Sequence, residues 1–180
     1  MFYNLKNCRD GSKATYKTTV DISESNGIVT FKFDAENTSF YCPHSGYNKI
    51  HSEGDACEVL IGSDPQRKTY YEIEINPNNE LMVAKMVNHG FDENKEPILD
   101  INFVKNCFVE SEVIRRENGY TATVSFEKSK ILSGDGEIYF NAYRLETDGG
   151  EIDKHLFALI PTMLPKFHSP ERFVFLKDYI

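Results

Sequence analysis

Tryptophan is missing altogether from this chain, although 13 phenylalanines and 10 tyrosines are present. The broadest flat ring a protein can stack on a ligand is therefore absent, and any aromatic platform must be a smaller one. Cations are in short supply as well. Lys and Arg number 20 against 28 Asp and Glu, a formal net charge of −8. That balance argues against nucleic acid and against an anionic membrane surface as partners, because both select clustered basic side chains. No apolar run approaches the roughly 18–20 residues of a membrane-spanning helix. The opening stretch MFYNLKNCRDGSK lacks the continuous apolar segment of a signal peptide. The expectation is a cytoplasmic protein if Met1 is the native start, and an extracellular one if the chain has been trimmed.

Close cysteine pairs are lacking too. Cys8, Cys42, Cys57 and Cys107 are widely spaced with no CxxC motif, which argues against structural zinc. Free thiols are expected, with a Cys8–Cys42 disulfide as the alternative. There is no GxSxG elbow, P-loop, GxGxxG after a strand, or HExxH motif. The histidines (His44, His51, His89, His155 and His168) show no metal-ligand spacing, so neither a catalytic nor a metal site is expected. Acidic pairs such as Glu72 and Glu74 resemble glycosidase carboxylates only in type, since two acids on one strand face more often meet solvent.

What the chain does have is turn punctuation at short intervals: Ser25-Asn26-Gly27, Gly62-Ser63-Asp64-Pro65, Asn76-Pro77-Asn78-Asn79, Glu117-Asn118-Gly119, Gly134-Asp135-Gly136 and Asp148-Gly149-Gly150. Between these clusters the pattern predicts strands near 14–22, 27–34, 56–62, 69–76, 80–87, 98–104, 107–116, 119–127, 136–145, 152–160 and 171–176. In 119–127, Tyr120, Ala122, Val124 and Phe126 alternate with Thr121, Thr123 and Ser125, the period-two mark of a strand with one core face. Cys57, Val59 and Ile61 share a side opposite Glu58, and Tyr71, Ile73 and Ile75 share a side opposite Tyr70, Glu72 and Glu74. The latter face reads as exposed. Phe31, Phe33, Phe103 and Phe126 read as buried. Helix signals are scarce: 127–132 allows one helical turn, and 161–170, with Pro161, Pro165 and Pro170, reads as an ordered loop crossing the sandwich. The expected fold is all-β, an antiparallel β-sandwich of jelly-roll or immunoglobulin-like architecture, in a single domain over 1–180.

Tyrosines carry the functional signal. Tyr41, Tyr47, Tyr70, Tyr139 and Tyr143 fall at strand ends or on faces that also carry polar residues. Flat rings beside carboxylates and amides suit sugars, whose C–H face stacks while the hydroxyls take hydrogen bonds.

Five segments in order resemble the family 9 carbohydrate-binding modules and their DOMON-like relatives: Gly54–Ile61, Tyr70–Pro77, Gly119–Phe126, Phe140-Asn141-Ala142-Tyr143-Arg144, and Pro161 through Phe167-His168-Ser169-Pro170-Glu171-Arg172-Phe173. The resemblance spans roughly residues 14–176. It implies a non-catalytic β-sandwich that holds an oligo- or polysaccharide end by stacking plus carboxylate, amide and guanidinium hydrogen bonds. Tyr47 is placed like the family's first clamp aromatic and Glu53 like its acid. Asn141 is placed like its asparagine, and Tyr143 or Arg144 would serve at the second clamp position. Tyr70, Glu72 and Glu74 would add secondary contacts, and Glu58 is a candidate partner for Arg144. No cofactor is expected, although the resemblance makes calcium a candidate ion, with Asp34, Glu36, Asp55 and Asp64 as oxygen donors outside any consensus loop. His168, in a Phe-His-Ser-Pro turn, reads first as a tie between loop groups.

The missing tryptophans motivate an alternative: a protein-interaction or assembly sandwich that has lost sugar binding. A third reading, the haem-binding branch of the relatives, would need an axial pair from Met82, Met86, His89 and His168.

Overall fold

The computed structural model describes residues 2–37, 39–50, 53–133, 136–150 and 155–180. His51, the Gly134–Asp135 turn and the start of the expected 152–160 strand lie outside the described residues.

Period-two alternation drives the chain into two antiparallel sheets, with strands numbered along the sequence. The first sheet holds β1 (Phe2–Asn4), β3 (Thr18–Ser25), β4 (Ile28–Glu36), β9 (Val109–Arg116) and β10 (Gly119–Glu127), in the order β1-β3-β4-β10-β9. The second holds β2 (Lys6–Asn7), β5 (Ala56–Gly62), β6 (Thr69–Ile75), β7 (Leu81–Phe91), β8 (Pro97–Phe103), β11 (Tyr139–Glu146), β12 (His155–Ala158) and β13 (Val174–Phe175). Its order is β2-β12-β11-β5-β6-β7-β8, with β13 also paired to β11. The protein is thus an all-β antiparallel sandwich, and among the described residues helix is limited to three-residue 3₁₀ turns, one of them at Lys128–Lys130.

Side-chain parity decides what lies between the sheets. Val20, Ile22, Phe31, Phe33, Ala122, Val124 and Phe126 face Cys57, Val59, Ile61, Ile73, Ile75, Phe140 and Ala142 across the interior. Phe31 and Phe140 meet there at 5.4 Å between ring centroids. Rings buried in this way contribute about 3–5 kcal/mol each, judged by truncation to alanine. Gly119, at φ +146°, opens β10 where a Cβ would stand 2.1 Å from the Ala35 carbonyl oxygen, so only glycine fits.

Two sequence expectations fail here. Every residue of β5 is buried, and on β6 Tyr70, Glu72 and Glu74 are buried as well, so the polar-looking face of these strands does not meet solvent. The cause is a roof. The proline-bearing segment after β12, residues 159–173, crosses the outer face of the second sheet as a strap, and Ile50 from the β4–β5 connection packs beside it. Beneath lies a second apolar cluster of Cys8, Leu60, Tyr70, Met82, Ala84, Met86, Tyr143 and Phe173. Phe103, expected inside, is 46% exposed at the end of the edge strand β8, where no further strand covers it.

Candidate functional site

The strap is fastened to the outer face by polar side chains of β11 and β6. Asn141 donates from Nδ2 to the Ile160 carbonyl at 2.8 Å, and its Oδ1 accepts the Ile160 N–H at 3.1 Å. The Tyr143 hydroxyl donates to the Phe167 carbonyl at 2.8 Å while the two rings stack, centroids 4.5 Å apart. The Met163 N–H reaches the Cys8 carbonyl at 2.9 Å. At the far end Lys166 pairs with Glu96 at 2.6 Å and also meets the Lys95 carbonyl in the β7–β8 turn. Tyr70 receives the Phe173 ring edge-on at 5.2 Å, and its hydroxyl lies 2.9 Å from His168 Nδ1.

Under this strap lie three carboxyl groups. Antiparallel register sets Glu58 on β5 opposite Glu74 on β6, with Glu72 opposite the next residue but one, Leu60. All three point outward from the sandwich interior, and Glu58 and Glu72 are 6% and 3% exposed. His168 Nε2 stands 3.9 Å from Glu72 Oε1. Burial pushes the Glu58 carboxyl well above the usual range, and the charges of Glu72 and Glu74 push it further. Burial also raises Glu72, to about 7. Like charges on adjacent strands destabilise one another unless a proton or a cation intervenes.

The residues marked by the sequence reading do not converge on one open concavity. Tyr70, Glu72, Glu74, Asn141 and Tyr143 share the outer face but are covered. Tyr47 and Glu53 belong to the β4–β5 connection. Tyr47 is half-buried against the interior core, and its neighbour Asn48 fastens to β7, accepting the Val83 N–H at 2.9 Å and donating to the Val104 carbonyl at 2.9 Å. β7 and β11 are separated by two strands, a distance of about 14 Å. Glu53 is exposed and bonds His44 Nε2 at 2.6 Å. Arg144 points the opposite way, into the interior. It is fully buried, donating from Nη1 to Thr18 Oγ1 at 2.8 Å and from Nη2 to the Glu36 carbonyl and to Glu146.

Glu146, not Glu58, is therefore the partner of Arg144, because residues two apart on one strand share a face and Glu58 lies on the other. The network continues. Asn37 Nδ2 donates to Glu146 at 2.8 Å and to Asp55 at 3.1 Å, and Asp55 also accepts the Tyr41 N–H, the Thr147 N–H and the Thr147 hydroxyl. Burial and the nearby Asp55 charge raise Glu146 to about 7 against the pull of Arg144.

The four oxygen donors considered for calcium do not assemble. Asp34 pairs with Arg116, and Glu36 accepts the Lys17 N–H. Asp55 sits in the network above, and Asp64 accepts the backbone N–H groups of Gln66, Lys68 and Thr69. These residues do not fit a calcium site. Met82 and Met86 are packed into the outer-face cluster, and His89 pairs instead with Asp100 at 2.9 Å. The four cysteines are free thiols.

One surface escaped the sequence reading. A cleft of ≈ 710 Å³ is lined by Tyr3, Asn4, Arg67, Phe175, Asp178 and Tyr179, among others. Arg67 lies 4.4 Å over the ring of Tyr139. The expected 171–176 strand reached one wall of it, at Phe175, but β1 is too short to show a period, and nothing in the sequence joins it to the C-terminal residues.

Among the described residues, no helix is long and apolar enough to cross a membrane. No protein-family model matches the sequence, and no curated protein matches it significantly. Solved structures do match. A Bacteroides uniformis protein assigned provisionally to carbohydrate binding superposes with a TM-score of 0.72 at 16% identity, covering 96% of this chain and 84% of that one. A family 9 carbohydrate-binding module from Caldicellulosiruptor kristjanssonii, in complex with glucose, gives 0.63 at 10% identity over 96% of this chain and 82% of the module. The cellotriose complex from the same organism gives 0.64 at 9% identity, covering 96% and 79%. The chain has the fold of the family 9 carbohydrate-binding modules.

Proposed function

We propose that this protein is a non-catalytic carbohydrate-binding β-sandwich whose sugar contacts lie on the β4–β5 connection. The reading is carried by one observation: that connection holds a half-buried ring, Tyr47, and an exposed carboxylate–imidazole pair, Glu53–His44. The fold supports it, since two neighbours of like architecture hold glucose and cellotriose. Tyr47 supplies the stacking surface, while Glu53 and His44 hydrogen-bond ring hydroxyls. Asn141, Tyr143 and Tyr70 contribute indirectly, by seating the strap, and Arg144 braces the interior. Glu72 and Glu74, the acid pair weighed for glycosidase chemistry, are buried under the strap, which supports a non-catalytic role.

Calorimetry with glucose and cello-oligosaccharides tests this reading. We expect millimolar or tighter binding that falls at least about tenfold in Tyr47→Ala and Glu53→Gln. Tyr179→Ala, in the terminal cleft, should bind as the parent does. Binding lost in Tyr179→Ala alone would move the site to that cleft. No binding at millimolar sugar, together with a stable oligomer by light scattering, would favour an assembly module instead.

A further inference from the structure

We propose that Glu58, Glu72 and His168 form a binding site for a divalent transition-metal ion of the zinc type, clamping the strap to the second sheet. This inference is independent of the sugar reading. One donor atom from each residue lies within 4.8 Å of the others. That spacing suits three ligands of one ion with bonds of about 2.0–2.2 Å, after small side-chain adjustments.

The second observation is the state of the carboxylates. Glu58 Oε1 and Glu72 Oε2 are both buried without a hydrogen-bond partner. Among the described residues no lysine or arginine pairs with either acid. A buried carboxyl oxygen left in that condition is costly, and more so once its group ionises. A divalent cation satisfies both acids at once and removes their mutual repulsion.

The histidine is held ready for this role. Its Nδ1 is engaged by the Tyr70 hydroxyl at 2.9 Å, which in turn lies 3.4 Å from Asn88 Nδ2. Bonding at one ring nitrogen orients the other as the ligand, the arrangement by which neighbours position metal-binding imidazoles. Nε2 then faces Glu72 Oε1 at 3.9 Å, too long for a hydrogen bond and short enough for a shared ion. An imidazole nitrogen with two carboxylate oxygens selects zinc-type ions over calcium or magnesium, which prefer all-oxygen shells. Two ligands come from adjacent rigid strands and the third from the strap, so occupancy joins roof to floor.

The test uses the full chain, stripped with EDTA and titrated with Zn²⁺ by calorimetry, alongside the visible spectrum of the Co²⁺-loaded protein. We expect one equivalent bound and a raised Tm. Glu72→Gln and His168→Asn should each weaken uptake by about 100-fold or more, with the Co²⁺ spectrum altered. His89→Ala and His44→Ala, at exposed histidine–carboxylate pairs, should leave uptake unchanged. Folded protein that takes up no Zn²⁺ at micromolar concentration overturns the proposal, as does uptake abolished by His89→Ala or His44→Ala but retained in Glu72→Gln. The titration of the unmodified chain decides the matter even if a variant fails to fold.

Discussion

The second sheet buries ionisable groups on both of its faces, and the two sets are built differently. On the inner face Arg144 is matched by Glu146, and the acids around it are supplied with amide, hydroxyl and backbone donors from Asn37, Thr147 and Tyr41. On the outer face Glu58 and Glu72 lie together with two oxygens unpartnered, beside His168 and a third acid, Glu74. The inner set is nearly complete, with one guanidinium nitrogen, Nε, left over. Its members hold the first sheet to the second, since Thr18 and the Glu36 carbonyl belong to β3 and β4. Donor satisfaction thus separates groups that brace the fold from groups with capacity to take something up.

That contrast is open to attack at three points. Arg144→Ala should have the largest effect, because it strands the Glu146 carboxylate in the interior. We expect a loss of about 3–5 kcal/mol in urea unfolding, and substantial recovery when Glu146 is also made apolar. A smaller loss would mean that water reaches the inner network.

Next is the pH profile of the metal-free protein. Glu58 and Glu72 hold protons in the folded state that the unfolded chain gives up near 4.5, and Glu72 keeps its own to about 7. The folded state therefore binds more protons in this window, so stability is full below about pH 4.5 and falls as pH rises toward 7 and beyond. The fall is on the order of 2 kcal/mol, read as Tm at pH 5 against pH 8. Glu74, Cys8, Tyr143, Tyr70 and His168 face the same pair, and Glu146 on the inner face adds to the slope with the same sign. Glu58→Gln combined with Glu72→Gln should flatten the curve; an unchanged slope would assign it to Glu146.

The smallest expected effect comes from Tyr143→Phe. Removing the hydroxyl leaves the Phe167 carbonyl and Asn141 Nδ2 short of a partner, at a cost of about 1–2 kcal/mol. Amide exchange in 161–170 should speed up while that of β4 and β10 stays protected. Uniform acceleration would mean that the strap opens only with the whole domain.

Much of the scaffold was legible because strands and turns are local signals. The runs over 56–62, 69–76 and 119–127 fell within a residue of the observed β5, β6 and β10. β1 and β2, at three and two residues, are too short to display a period. Parity along 136–145 puts Arg144 on the side of Phe140 and Ala142, where the structure has it. What parity does not encode is coverage: Glu58, Tyr70, Glu72 and Glu74 alternate like a solvent face, and only the return of residues 159–173 buries them. The histidine of the acid cluster comes from that same return, roughly a hundred residues later in the chain. No spacing rule links it to Glu58 or Glu72, so the cluster was invisible to motif reading. Tyr47 was noticed for its position, but its half-burial depends on β7 and the segment after β8.

The strand order carries a kinetic consequence. At the centre of the first sheet Phe33 pairs with Ala122, and at the centre of the second Val59 pairs with Ala142. Both seams join the front half of the polypeptide to the back half, so large loops must close before either pairing yields its hydrogen bonds. Refolding should accordingly run in milliseconds to seconds rather than microseconds. The strap docks on a surface that exists only once β5, β6 and β11 are side by side, which makes its closure a late step.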